Sequence, residues 1–467
     1  MLRRVLWGVL LVGVLASFPA ASNSSTIGSP RWLAYGRDGQ LTNFVRVSGL
    51  TPKTARRLRL KWTKQLDGPI VASPLYANGT LYAETEAGSV YALRPSDGAT
   101  RWHRTLGVVP TQSCGRWGLT STGAIDLTRN VLYAISSDGL LHALNLTSGE
   151  ERSGWPVAIT SAHADGEYVW GGLRLLRSTV YAGVASYCDV PGSDGHLANG
   201  RLVAVDAQQA RVKATFDPVP GDGNMGGIWG WGGVSVDPAG KTLWTGVGNS
   251  YVWDAACSCI TENAGYGNSM VKLTPDLRVL GSYRPKDLPD KLDLDFGSAP
   301  LLFQPSGCKP YAAGNDKNGW MYIWNRTRLK HGPRQSFGLG DGIAAFVGQP
   351  SYSPSLRMIF ASHVFDRRGG KKIGDGIQGF TINRHCGVAR RWLTSVGEGQ
   401  MPPPLVLGDV VFAAGGEAGG YTALDGRTGK PLWRFATPAA TLAPSIAAGT
   451  QIFAGDFGGT LRAFARS

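Results

Sequence analysis

Charge is scarce in this chain. Only 17% of its 467 residues are Asp, Glu, Lys or Arg, while glycine is abundant at 65 and aromatics reach 10%. That balance disfavours helix bundles and disorder and suggests many short strands joined by tight turns. Long apolar runs are also missing beyond the first residues. No later segment approaches the roughly 20 apolar residues that a membrane-crossing helix needs. No C-x-x-C-H occurs, so no c-type haem is attached, and no cysteine spacing suits zinc. The seven histidines show no pair at metal-binding spacing. No Walker loop, G-x-S-x-G or strand-to-helix G-x-G-x-x-G is present, which sets aside the common nucleotide and hydrolase chemistries.

What is there begins with a leader. Arg3 and Arg4 precede an uncharged run over 5–18, and small residues follow with a cleavage point expected near 20–22. This is the three-part pattern of a secretory signal. A secreted, periplasmic or cell-envelope location is therefore expected, without a lipoprotein cysteine. In an exported chain six cysteines suggest disulfides. Cys257 and Cys259 are one residue apart and are expected to bond outward rather than to each other. The net charge is +14, from 47 basic and 33 acidic residues. The basic stretches "TPKTARRLRLKWTK" and "DRRGGKK" have no interleaved aromatics. They point to an envelope protein or an anionic cell-wall polymer as partner, and not to nucleic acid.

Repeats decide the architecture. Residues 73–102 and 405–433 share one pattern, and 443–464 follows it through the third strand: strand, turn, strand, Gly-rich turn, strand ending near Ala-Leu, turn and tryptophan. Degenerate copies end at 140–149, 200–209, 268–276, 319–327 and 376–383, giving eight units of about four short strands. Such a unit cannot bury both faces alone, and radial stacking solves this. The expectation is an all-β, eight-bladed β-propeller. The last unit stops at its third strand, so "LRLKWTKQL" (58–66) is expected to supply the fourth and fasten the ring. The division is 1–22 signal peptide, 23–57 N-terminal extension and 58–467 propeller. Trp62, Trp102, Trp155 and Trp433 fall at equivalent places and read as packing between blades. A monomer is expected.

The "YALxxxxGxxxW" repeat resembles that of pyrroloquinoline quinone (PQQ) proteins, and "WLAYGRDGQLTNF" (32–44) is similar to the opening segment of quinoprotein dehydrogenases. The resemblance covers nearly all of the mature chain. It implies the propeller fold but not activity, because the same fold serves non-enzymatic outer-membrane assembly scaffolds. Its residues carry over one by one. "GGIWGWGGVSVDP" (226–238) places the tryptophan platform for the planar quinone on Trp229. "WTGVGNSYVW" (244–253) places the calcium-binding asparagine on Asn249, whose amide carbonyl is an oxygen ligand. "KLDLDFGSAPLLF" (291–303) makes Asp295 or Asp293 the general base, with Asp295 beside the metal. "GNDKNGWMYIWNR" (314–326) makes Lys317 the cation at the quinone oxygens, reached from a turn at the top of a blade. Arg116 stands near the place of the family's quinone-contacting arginine.

Departures accompany these matches. The family's glutamate calcium ligand should fall near 184–206, where there is none and Asp189 is the substitute. The adjacent cysteine pair of many relatives is replaced by a lone Cys114. There is no haem domain, so an enzyme would need a separate electron acceptor. Two functions follow from the resemblance. One is a binding or scaffold protein with a degenerate quinone pocket. The other is a PQQ- and calcium-dependent dehydrogenase of alcohols.

Overall fold

The computed structural model describes residues 31–108, 117–160, 166–286, 288, 293–340, 348–363, 366–368 and 371–467. The leader at 1–22, Cys114 and Arg116 lie outside them.

Eight sheets, each built on four antiparallel strands, form an eight-bladed β-propeller, as the repeats predict; Phe44–Val45 adds a fifth, parallel strand to the seventh and Glu167–Tyr168 a fifth strand to the third. The innermost strands are Leu75–Ala77, Ala124–Asp126, Arg174–Leu176, Ser235–Val236, Leu301–Phe303, Ser351–Ser353, Leu405–Leu407 and Ile446–Ala448, in blades 1 to 8. They are mostly buried, whereas outer strands such as Thr100–Thr105 and Arg211–Phe216 are largely exposed. The difference follows from position: an inner strand is covered by its neighbours around the axis, and an outer strand faces water. Leu58–Gln65 pairs antiparallel with Thr460–Arg466, from Leu58 opposite Arg466 to Gln65 opposite Thr460. The start of the chain thus completes blade 8.

Neighbouring blades are fastened in two ways. Trp62 of blade 8 donates its indole N–H to Pro95 O of blade 1 at 2.9 Å, and Trp102 of blade 1 donates to Leu146 O of blade 2 at 3.0 Å. Trp392 repeats this onto Gly426 O at 3.0 Å. Each ring covers a glycine at φ near +73°, namely Gly98, Gly149 and Gly429. A Cβ on Gly149 would lie 2.6 Å from the Trp102 ring, so the repeat's glycine and tryptophan are two halves of one contact. Trp433 packs on Phe464 of blade 8 at 5.3 Å. Trp155 joins the cluster that holds Ala210 of blade 3. The packing expectation thus holds for all four tryptophans.

Between blades 5 and 6 the clasp is covalent: Cys308 bonds Cys386 across 78 residues. Cys257 and Cys259 bond each other, contrary to the outward pairing expected. The reason is local. They sit at a tight turn between Val252–Asp254 and Cys259–Thr261, where Ser258 takes a left-handed φ of 49°. That brings the two Cα atoms to 5.2 Å, within ordinary disulfide reach.

The stretch 32–45 runs inside the ring. It exchanges hydrogen bonds with blades 1 to 7 in order: Trp32 with Tyr76, Leu33 with Ile125, Tyr35 with Arg174, Gly39 with Val236, Gln40 with Leu302, Thr42 with Tyr352, and Asn43 with Val406. Gly36 makes the bend possible. Its φ is +72°, and a Cβ there would lie 2.7 Å from the Leu41 side chain. Trp32, Tyr35 and Leu41 are fully buried.

Candidate functional site

One face of the ring carries the turns between second and third strands and the connections between blades. A cavity of about 360 Å³ opens among these loops in blades 3 to 5. Asp189, Trp229, Asn249, Asp295 and Lys317 all line it. Asp293 stands just behind. Lys317 arises from a turn between the second and third strands of blade 5, Tyr311–Asn315 and Trp320–Asn325, rather than from the innermost strand. Its backbone N–H donates to Asp295 O at 2.9 Å, tying that turn to the loop before blade 5.

The side chains form a compact network. The Lys317 ammonium lies 2.7 Å from both oxygens of Asp293 and 3.1 Å from Asp295 Oδ1. It also sits 4.4 Å from the centre of the Trp229 ring. The Trp229 indole N–H donates to Asp295 Oδ2 at 2.8 Å. Asp295 is 2% exposed, and its Oδ1 accepts no hydrogen bond of good geometry although the ammonium is within ion-pair distance. Burial raises the Asp295 pKa to about 6; Lys317 opposes that rise and Asp293 adds to it. Burial acts against the charge of Lys317, but the two carboxylates outweigh it and hold its pKa above the ordinary value.

Glycines make room for these groups. A Cβ on Gly297 would lie 2.8 Å from the Trp229 ring, and one on Gly230 would lie 1.8 Å from Gly297 O. The two loops therefore meet backbone to backbone beneath the indole.

Several residues of the site escaped sequence reasoning. Trp117, Trp170, Tyr187 and Trp231 line the same cavity. They lie in loops outside the repeat pattern, so nothing in the repeat announces them. Asp316 was passed over although it directly precedes Lys317. It is buried, accepts from the Tyr322 hydroxyl at 2.9 Å, and is pushed up to about 7 by burial.

The arrangement fits a planar quinone. Trp229 offers a flat indole face and an ammonium stands over it. Asp295 Oδ1 is a buried oxygen 3.1 Å from that ammonium, and Asn249 is at the wall. The donors for calcium do not fit, since that ion takes about 6–8 oxygens. Asp293 and Asp295 already share the Lys317 charge. Asp189, expected to substitute for the missing glutamate, is exposed at a left-handed φ of 53° and accepts from the Ser186 hydroxyl.

Comparison with known proteins agrees with the propeller fold and with the family likeness of the repeats. Residues 54–217 match the family described as outer membrane protein assembly factor BamB. A polyvinylalcohol dehydrogenase of Sphingopyxis sp. (strain 113P3) is 23% identical over 97% of this chain and 74% of its own length. Quinohemoprotein alcohol dehydrogenase ADH-IIG of Pseudomonas putida is 23% identical over 48% of this chain, and ADH IIB of the same organism 22% over 76%. The chain spans only 33% and 56% of those two relatives. Among solved structures, ADHIIG from Pseudomonas putida HK5 superposes with a TM-score of 0.72 at 15% identity, covering 94% of this chain and 80% of that one. BamB from Moraxella catarrhalis superposes at 0.59 and 12% identity, covering 87% and 99%. The resemblance read from the repeats holds. Among the described residues no helix is long and apolar enough to cross a membrane.

Proposed function

We propose that this is an exported, PQQ-dependent dehydrogenase of alcohols that passes electrons to a separate acceptor. One observation carries the reading: Trp229, Asn249, Asp295 and Lys317, drawn from separate motifs, line a single cavity on one face of the ring. PQQ, when bound, supplies the two-electron acceptor for a hydride leaving the alcohol carbon. Trp229 provides the floor on which a planar ring stacks. Lys317 places a fixed positive charge where a quinone gains negative charge. Asp295 takes the hydroxyl proton, and the indole N–H on its Oδ2 holds the carboxylate in orientation. A pKa near 6 keeps it ionised at neutral pH yet close enough to accept a proton efficiently. Asp293 positions Lys317.

The test is a titration of the purified protein with PQQ, followed by absorbance and tryptophan fluorescence. Saturable binding is expected, and Lys317→Ala should weaken it by about 30-fold or more, the usual scale for truncating a buried charge. Dye-linked oxidation should rise with pH through about 6 as Asp295 ionises. A folded protein that binds no PQQ would end this reading. It would favour the second, an envelope scaffold with a degenerate pocket, which the match to the BamB family over 54–217 supports.

A further inference from the structure

Among the described residues lining the site, the prevailing charge is opposite in sign to that of the chain. Beside the first cavity, on the same face, lies an open cleft of about 670 Å³, and Trp117 lines both. Among the described residues lining the two, Asp67, Asp189 and Asp295 are acidic, as is Glu86, whose charge burial partly suppresses. Lys317 is the single Lys or Arg among those described residues, and it is held by Asp293 and Asp295. This occurs in a protein whose net charge is +14.

The walls are aromatic. Trp117 stands edge-on to Trp170 at 5.6 Å, Trp170 lies 6.3 Å from Tyr187, and Phe457 lies 6.1 Å from Trp117 on the cleft side. Phe457 is 37% exposed, unusual for so large an apolar side chain. Aromatic faces alone would suit any apolar substrate, and carboxylates alone any cation or hydroxyl. Together they attract an organic cation: the ring faces carry negative potential, and the nearby carboxylates add to it. Buried Asp295, whose Oδ1 lies 3.1 Å from the Lys317 ammonium, gives that molecule a polar group to meet at its far end.

We infer that the substrate is a hydroxylated organic cation, an alcohol bearing a quaternary or protonated amine. Its cationic end sits at Trp117, Trp170 and Tyr187 beside Asp189, and its hydroxyl reaches Asp295. The hydroxyl part rests on the dehydrogenase reading; the cation subsite does not.

Choline and its uncharged isostere 3,3-dimethylbutan-1-ol separate charge from shape. Each is titrated into the full chain, with and without PQQ, and followed by tryptophan fluorescence and calorimetry. Choline should bind at least about tenfold more tightly than the isostere, the scale of a desolvated cation–π contact. Trp117→Leu should abolish the preference, and exposed Asp189→Asn should reduce it by about threefold. The asparagine variant keeps the test usable should the leucine variant misfold. Equal affinity for the two compounds, or a preference for the neutral one, overturns the inference while leaving PQQ binding to decide the proposed function. Choline preference in a protein that binds no PQQ upholds the cation subsite and removes the enzyme.

Discussion

Two arcs of this ring are built differently. Where blades 8, 1 and 2 meet, and again between blades 6 and 7, a tryptophan lies on a left-handed glycine and donates to a carbonyl of the next blade. Between blades 3 and 6 the described boundaries use other means. Tyr181 donates to Pro275 O, the Lys272 ammonium to Arg326 O, and Cys308 is bonded to Cys386. Most of the candidate site lies on this second arc, with Trp117 reaching it from the loop before blade 2. The tryptophan–glycine contact thus fastens the first arc, and Asp189, Asn249, Asp295 and Lys317 lie where other contacts replace it.

The comparison can be broken most sharply at the disulfide. Replacing Cys308 and Cys386 together with serine opens a 78-residue loop, which on chain-entropy grounds costs about 4–5 kcal/mol. Chemical denaturation would measure it, and a loss under about 1 kcal/mol would show that the second arc has another fastener. Next comes Trp102→Ala on the first arc. It should cost about 3 kcal/mol, the lower end for a large aromatic, because the ring is only half-buried. If that loss is negligible, the tryptophan contact is a signature without energetic weight.

A third expectation concerns pH. Burial raises Glu84 to about 8 and Glu86 to about 7 in blade 1, and Asp316 to about 7 in blade 5. A raised pKa means that the folded state holds protons which the unfolded chain has already released. Stability should then fall as pH rises from about 4 to about 8, by up to about 1.4 kcal/mol per pH unit for each group. Thermal melts across that range would show the slope, and Glu84→Gln should flatten its upper end. A stability that rises with pH there would contradict the assignment. Smallest is the effect of removing Cys257 and Cys259, whose loop is so short that about 1.5 kcal/mol is the most it can contribute.

The eight blades, the closing strand and the tryptophan contacts were legible because a repeat states its packing many times over. The cluster of Trp229, Asn249, Asp295 and Lys317 was legible only through family likeness, since nothing in their separate neighbourhoods says that they meet. Trp117, Trp170 and Tyr187 stayed hidden because their positions depend on how three loops fold over one another. The pairing of Cys257 with Cys259 was missed for a simpler reason. Spacing alone disfavours it, and only the left-handed turn at Ser258 brings the sulfurs together.

The path of residues 32–45 has a consequence for assembly. This stretch precedes all eight blades and touches seven of them in the order in which they appear, so the ring is wound around it as around a spindle. The last strand, Thr460–Arg466, finds its partner Leu58–Gln65 only after everything between has been laid down. Until then blade 8 has an unpaired edge, the kind of surface on which other chains add. With its two ends paired across nearly the whole sequence, folding should be slow and closure abrupt.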